Sequence, residues 1–375
     1  MHIITAYLMD SQFKKKLKGV KAEQCLFAFL LILVLFLTYL NVTGTYKISL
    51  RGEGPIIVHE SKIIDLREMT LRQKISQMLI LFGQEHNLND VRLLNPGGVY
   101  VGAISADPQG FKDASYRLQE NKSVPFFIVT DMEGCINPFS AFRTFKAFKD
   151  INTTEEAYQA GLEEGQLMNE LGFNLNFAPV VDLEDYIWKC RSFNSGPVDV
   201  AEKAEAYIKG MHESDVLVTI KHYPGKTLLA NDPHKEILRT EIEDRDVYPF
   251  EYLSKKADAV MPSHQITGGV VDTDGKPADV SNSALNTLRK DFNGLIITDD
   301  IQMLGLKKFY GNDAEMYIDL FNTDNDMIIF MTNDLPKVDQ MVSIIEQAVK
   351  DGKIDEKRID RSVIKILTAK GYTVL

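Results

Sequence analysis

Cysteine is scarce. Of three in 375 residues, Cys25 lies inside an apolar run, which leaves Cys135 and Cys190 for the rest of the chain. This is no disulfide scaffold, and a chain of this size can rely on a hydrophobic core instead. Metal-ligand patterns are missing too, since the seven histidines show neither His-Glu-x-x-His nor His-x-His spacing. No metal and no cofactor is expected. No Gly-rich phosphate loop follows the first apolar strand, which removes the usual support for a nucleotide-binding open sheet. The net charge is −11, and no basic cluster carries aromatics at intervals suited to nucleic acid. Nucleic acid and other anionic polymers are therefore not expected as partners.

Basic residues gather near the N-terminus, where Lys14, Lys15, Lys16, Lys18 and Lys21 precede a run from Cys25 to Val42 built mostly of Leu, Phe, Ile, Val and Ala. As a helix of about 18 residues this run spans roughly 27 Å, close to a bilayer's hydrocarbon core. The positive-inside tendency then predicts a cytoplasmic basic leader over residues 1–24 and a single-pass transmembrane anchor over 25–42. A linker over 43–62 and an extracytoplasmic domain over 63–375, held at the cell membrane, complete this reading. A cleaved signal peptide is the competing one. The long leader and the absence of a small-x-small site in Asn41-Val42-Thr43-Gly44 favour an uncleaved anchor.

Beyond the linker, eight apolar runs read as strands: Met78 to Phe82, Gly98 to Gly102, Phe126 to Thr130, Leu175 to Val181, Val216 to Ile220, Ala259 to His264, Gly294 to Ile297 and Asp326 to Met331. Stretches such as Thr153 to Leu171, Val198 to Ser214 and Lys337 to Lys350 read as helices between or after them. Eight strands alternating with helices predict one α/β domain, a (β/α)8 TIM-like barrel, with a doubly wound open sheet as the runner-up.

Several strands end in charge, and strand ends are where such barrels keep their chemistry. One leads into Lys221-His222-Tyr223-Pro224-Gly225, followed by Asp232-Pro233-His234, in which the carboxylate can orient one ring nitrogen and leave the other for proton transfer. Others end in Thr298-Asp299-Asp300, in Asp131-Met132-Glu133-Gly134, and in Asp182 with Arg191-Ser192-Phe193 shortly after. Strand alternation leaves open which of Asp299 and Asp300 faces a substrate. Structural roles compete with chemical ones. Lys221 and His222 could be a satisfied pair filling the barrel mouth, and Arg191 could pin a loop to Asp182 or Glu184. Glu133, Asp182, His264 and Asp300 read as supporting groups.

Taken in order, "MTLRQKISQMLILFG", "NPGGVYV", "DMEG", "NLNFAPVVDL", "RSF", "KHYPG" with "DPH", "MPSH" and "ITDDIQM" resemble family 3 glycoside hydrolases of the β-N-acetylhexosaminidase type, from about Leu66 to Leu375. The resemblance implies a retaining exo-glycosidase that removes terminal β-linked N-acetylhexosamine, GlcNAc above all, from cell-envelope glycans or muropeptides. By position, Asp299 looks like the nucleophile, His234 like the general acid/base and Asp232 like its orienting partner. Asp131, Arg191, Lys221 and His222 look like the residues that hold the sugar hydroxyls. The chemistry agrees, because retention needs a carboxylate at the anomeric carbon and a group that first gives and then takes a proton. Carbohydrate and membrane are the expected partners of a monomer. The alternatives are a β-glucosidase or β-xylosidase of the same family, whose acid/base usually comes from a further C-terminal domain, and a catalytically weak barrel that binds glycan.

The chain also departs from that family. Gly134 is followed by Cys135-Ile136-Asn137 where members usually have Gly-Arg-Val, Pro224-Gly225 is followed by Lys226-Thr227-Leu228 rather than His-Gly-Asp, and Thr323-Asp324 stands where Ala-Gly is common. Cys135 and Cys190 follow adjacent barrel strands, and an exported domain meets an oxidising compartment. A disulfide between them is expected, tying the Asp131 loop to the Arg191 loop in partial replacement of the lost Gly-Arg.

Overall fold

The computed structural model describes residues 54–228 and 236–375. The expected leader, membrane anchor and first part of the linker lie outside these residues, as do Asp232 and His234. Among the described residues no helix is long and apolar enough to cross a membrane.

Eight parallel strands close on themselves. They are β1 (Leu79–Gly83), β2 (Gly98–Val101), β3 (Phe127–Thr130), β4 (Leu175–Asn176), β5 (Leu217–Tyr223), β6 (Ala259–Pro262), β7 (Leu295–Asp300) and β8 (Met327–Phe330). Each pairs with the next in sequence, and β8 pairs with β1 through Ile328, Ile329 and Phe330 against Leu79, Ile80 and Leu81. This closure rules out the open doubly wound sheet, which would leave two edges. Its runs of Ile, Val and Leu are buried on both sides, as the interior of a barrel ringed by helices requires.

Every predicted strand is present, but β4 is shorter than the run to Val181 suggests. Pro179 has no N–H to give a ladder, so beyond Asn176 the segment makes only isolated contacts, such as Val181 N–H to Lys221 O at 2.8 Å. The strand that follows runs on to Tyr223 and carries Lys221 and His222 within regular structure.

Two neighbouring helices pack closely against each other. Thr153 caps the helix Thr154–Glu170 by accepting the Glu156 N–H at 3.1 Å, and Pro197 opens the helix Pro197–His212 at a position that needs no donor. Glycine lets them touch, since a Cβ on Gly161 would lie 2.1 Å from the Tyr207 carbonyl and one on Gly210 would lie 2.3 Å from that of Tyr158. This approach brings Tyr207 under the end of β3, where its hydroxyl meets Glu164 and, at 3.2 Å, the Met132 carbonyl.

Candidate active site

The carboxyl ends of the strands surround a cavity of about 410 Å³, enough for a small ligand. Its lining includes Asp131, Arg191, Lys221, His222, Asp299 and Asp300, with Tyr100, Phe177, Trp188 and Met331 among the apolar and aromatic walls. Two irregularities in register shape it. Between β5 and β6 the pairing shifts at Lys221 to Tyr223, and between β7 and β8 it shifts at Ile297 to Asp300. Such shifts re-aim side chains, and both adjacent pairs, Lys221 with His222 and Asp299 with Asp300, reach the cavity.

Glu133 is the hub of the cationic side. Its carboxylate is 1% exposed and accepts two prongs from Arg191, through Nε and through Nη2 at 2.8 Å, while Lys221 Nζ lies 2.5 Å away. Burial opposes its ionisation, but Arg191 and Lys221 outweigh burial and hold the carboxyl below its usual range. Lys221 also reaches Asp131 Oδ1 at 2.6 Å, and these two acids keep its ammonium charged against the same burial. Tyr100 fixes the other oxygen of Asp131 from its hydroxyl at 2.9 Å. The Arg191 guanidinium stacks on Trp188 at 4.5 Å. Arg191 is thus held by Glu133 rather than by Asp182 or Glu184, and Nη1 is the nitrogen that Glu133 leaves unengaged.

His222 stands on Asp182. Its Nδ1 lies 2.8 Å from Asp182 Oδ2, while Asp182 Oδ1 accepts the Thr227 N–H at 2.9 Å. With Nδ1 assigned as the donor, Nε2 remains for a ligand.

The paired acids of β7 have different surroundings. Asp300 Oδ1 accepts the N–H groups of Gln302 at 3.1 Å and Met331 at 3.0 Å, so it anchors the turn and the end of β8. Burial and the neighbouring Asp299 push its carboxyl up. Asp299 is also penalised by burial, but His264, His222, the Asp300 N–H at 2.7 Å and Lys221 together hold its carboxyl below the usual value. Asp299 is thus the stronger acid of the pair.

Cys135 and Cys190 form the expected disulfide, with their Cα atoms 6.1 Å apart. Asp185 holds the same loop from inside, taking the N–H groups of Trp188 at 2.9 Å, Cys190 at 3.0 Å and Arg191 at 2.9 Å. Sequence reasoning missed Asp185, Tyr100 and Trp188. Tyr100 alone left a local signal, an aromatic hydroxyl set by strand alternation between the buried Val99 and Val101.

Of the seven site residues predicted from sequence, the structure brings Asp131, Arg191, Lys221, His222 and Asp299 to one cavity. Leu228, the last residue before the undescribed segment that contains Asp232 and His234, lines it as well.

Residues 70–369 match the model of the glycosyl hydrolase family 3 N terminal domain. The beta-hexosaminidase LpqI of Mycobacterium bovis is 29% identical over 328 residues, covering 80% of this chain and 82% of that protein. A beta-hexosaminidase of Haemophilus influenzae is 33% identical over 281 residues, or 68% of this chain and 79% of its own length. Among solved structures, LpqI of M. tuberculosis superposes with a TM-score of 0.75 at 25% identity, covering 82% of this chain and 95% of that one.

Proposed function

The chain belongs to glycosyl hydrolase family 3 and is a glycoside hydrolase, and from that premise we propose that it removes terminal β-linked N-acetylhexosamine with retention of configuration. One observation carries this reading. Asp299 is a strand-end acid on the cavity whose carboxyl the surrounding positive groups hold below its usual value, while the adjacent Asp300 is pushed up and occupied as an anchor of two backbone N–H groups. In the first step an Asp299 oxygen attacks the anomeric carbon as the bond to the leaving oxygen breaks, and His234 gives that oxygen its proton. In the second, water attacks the same carbon, its proton passes to His234, and the bond to Asp299 breaks. Histidine titrates near neutrality without deep burial, and an adjacent Asp232 favours its protonated form. Asp131, Lys221, Arg191 and His222 bind the hydroxyls of the sugar.

The choice of N-acetylhexosamine is supported by relatives that are beta-hexosaminidases, and the placement at the cell envelope by the sequence of residues 1–42 alone. The segment Cys25 to Val42 anchors the enzyme with its barrel outside. Release of nitrophenol from the N-acetyl-β-glucosaminide and not from the β-glucoside, lost in Asp299→Asn, is the expected result. Equal turnover of both glycosides would contradict the substrate assignment. Full-length chain that leaves membranes in high salt would contradict the anchor.

A further inference from the structure

His264 lies two residues beyond the end of β6 and is 4% exposed. Its two ring nitrogens face two acceptors. Nδ1 is 3.0 Å from Asp279 Oδ2, and Nε2 is 2.9 Å from the backbone carbonyl of Asp300. A neutral imidazole has one N–H and could satisfy only one of them, so this arrangement calls for the protonated ring. The charged ring thereby grips the Asp300 backbone, and the N–H of Asp300 in turn donates to Asp299 Oδ1 at 2.7 Å. A continuous path runs from Asp279 through His264 and the Asp300 backbone to Asp299.

From this geometry, and resting on the reading of Asp299 as nucleophile, we infer that His264 is a positioning residue: its imidazolium, held by Asp279, fixes the end of β7 and supports the Asp299 carboxylate electrostatically. The ring touches neither the anomeric carbon nor the leaving oxygen. Its charge is instead a fixed positive element near an anion that must stay ionised and stationary until it attacks. Electrostatics agree with the geometry, because burial alone would depress the ring while Asp279 and Asp299 raise it to about 9. Among the charges around Asp299, His264 from β6 is the strongest stabilising one, ahead of His222 and Lys221 from β5. Arg191 adds a more distant positive charge from the loop after β4, and Asp300 is the nearest like charge on β7 itself. Asp131 and Glu133, across the cavity, are each neutralised by Lys221, and Glu133 by Arg191 as well.

The test uses the full-length enzyme and two variants, His264→Gln and Asp279→Asn. The second leaves the ring in place and removes the anion that keeps it charged, so it carries the test if the first does not fold. The pH dependence of kcat/KM between about pH 2 and 7 is measured for each, alongside mass-spectrometric identification of the carboxylate trapped by a fluorinated substrate analogue. The inference predicts that the acid limb, set by Asp299, moves up by about one pH unit in both variants. It also predicts that kcat at pH 7 falls about tenfold, with KM within twofold. Label on Asp299 together with acid limbs that superimpose on the wild type would overturn the inference and leave the proposed function standing. Label on any other carboxylate would overturn both.

Discussion

Glu133 and Arg191 meet as a two-pronged ion pair across loops that are also joined by the Cys135–Cys190 disulfide. The pair and the disulfide both tie the end of the third strand to the loop after the fourth. The ion pair carries a cost of its own, because removing one partner strands a buried charge.

Glu133→Gln therefore leaves Arg191 and Lys221 sharing Asp131 as their nearest anion. Unfolding free energy is expected to drop by roughly 3 kcal/mol, with a rise in KM, when urea denaturation and kinetics are compared with the wild type. Unchanged stability would mean that Asp131 alone balances both cations.

Cys135→Ser with Cys190→Ser keeps the ion pair and removes the covalent tie over 55 residues. The double variant is expected to lose roughly 2–4 kcal/mol of stability and to bind substrate more weakly, because the Trp188 and Arg191 wall is less constrained. Thermal melts and KM, measured with and without reductant on the wild type, check both effects. Indifference of the wild type to reductant would argue against the tie.

Tyr100→Phe deletes one hydroxyl while keeping the ring in the cavity wall. Hydrogen bonds to charged groups contribute roughly 1.5–3 kcal/mol, so kcat/KM is expected to fall at least about tenfold with little change in fold. A fall below twofold would show that Lys221 alone orients Asp131.

Stability should also depend on pH through Glu164, a carboxyl buried behind Met132. Burial pushes it up to about 8, although its hydrogen bond with Tyr207 works the other way. Between the unfolded value near 4.3 and about 8 the native state holds a proton that the unfolded chain has lost. The contribution is fully present below that unfolded value and is lost as pH rises to about 8, by up to about 5 kcal/mol. Glu164→Gln keeps a neutral acceptor for the Tyr207 hydroxyl and should flatten this decline. Parallel stability curves for wild type and variant over that range would contradict the assignment.

Much of the fold was legible because the barrel writes itself as buried runs of Ile, Val and Leu, and all eight were placed. What failed was the extent of β4, where Pro179 outweighs the apolar pattern around it. At the site, charged residues at strand ends announced Asp131, Lys221, His222 and Asp299. Partners did not announce themselves. Arg191 is 58 residues from Glu133 in sequence, and only the pairing of β3 with β4 brings them together. Asp299 and Asp300 could not be told apart by alternation because the register shift on β7 turns both toward the cavity. His264 read as a supporting residue, but its two acceptors, Asp279 and the Asp300 carbonyl, are visible only in three dimensions.

The most direct test of the account is the anomer first released from an aryl N-acetyl-β-glucosaminide, followed by proton NMR before mutarotation. Attack by Asp299 and then by water predicts that the β-anomer of N-acetylglucosamine forms first and the α-anomer only later, with Asp299→Asn releasing neither at a comparable rate. First appearance of the α-anomer, or full activity without the Asp299 carboxylate, would contradict it.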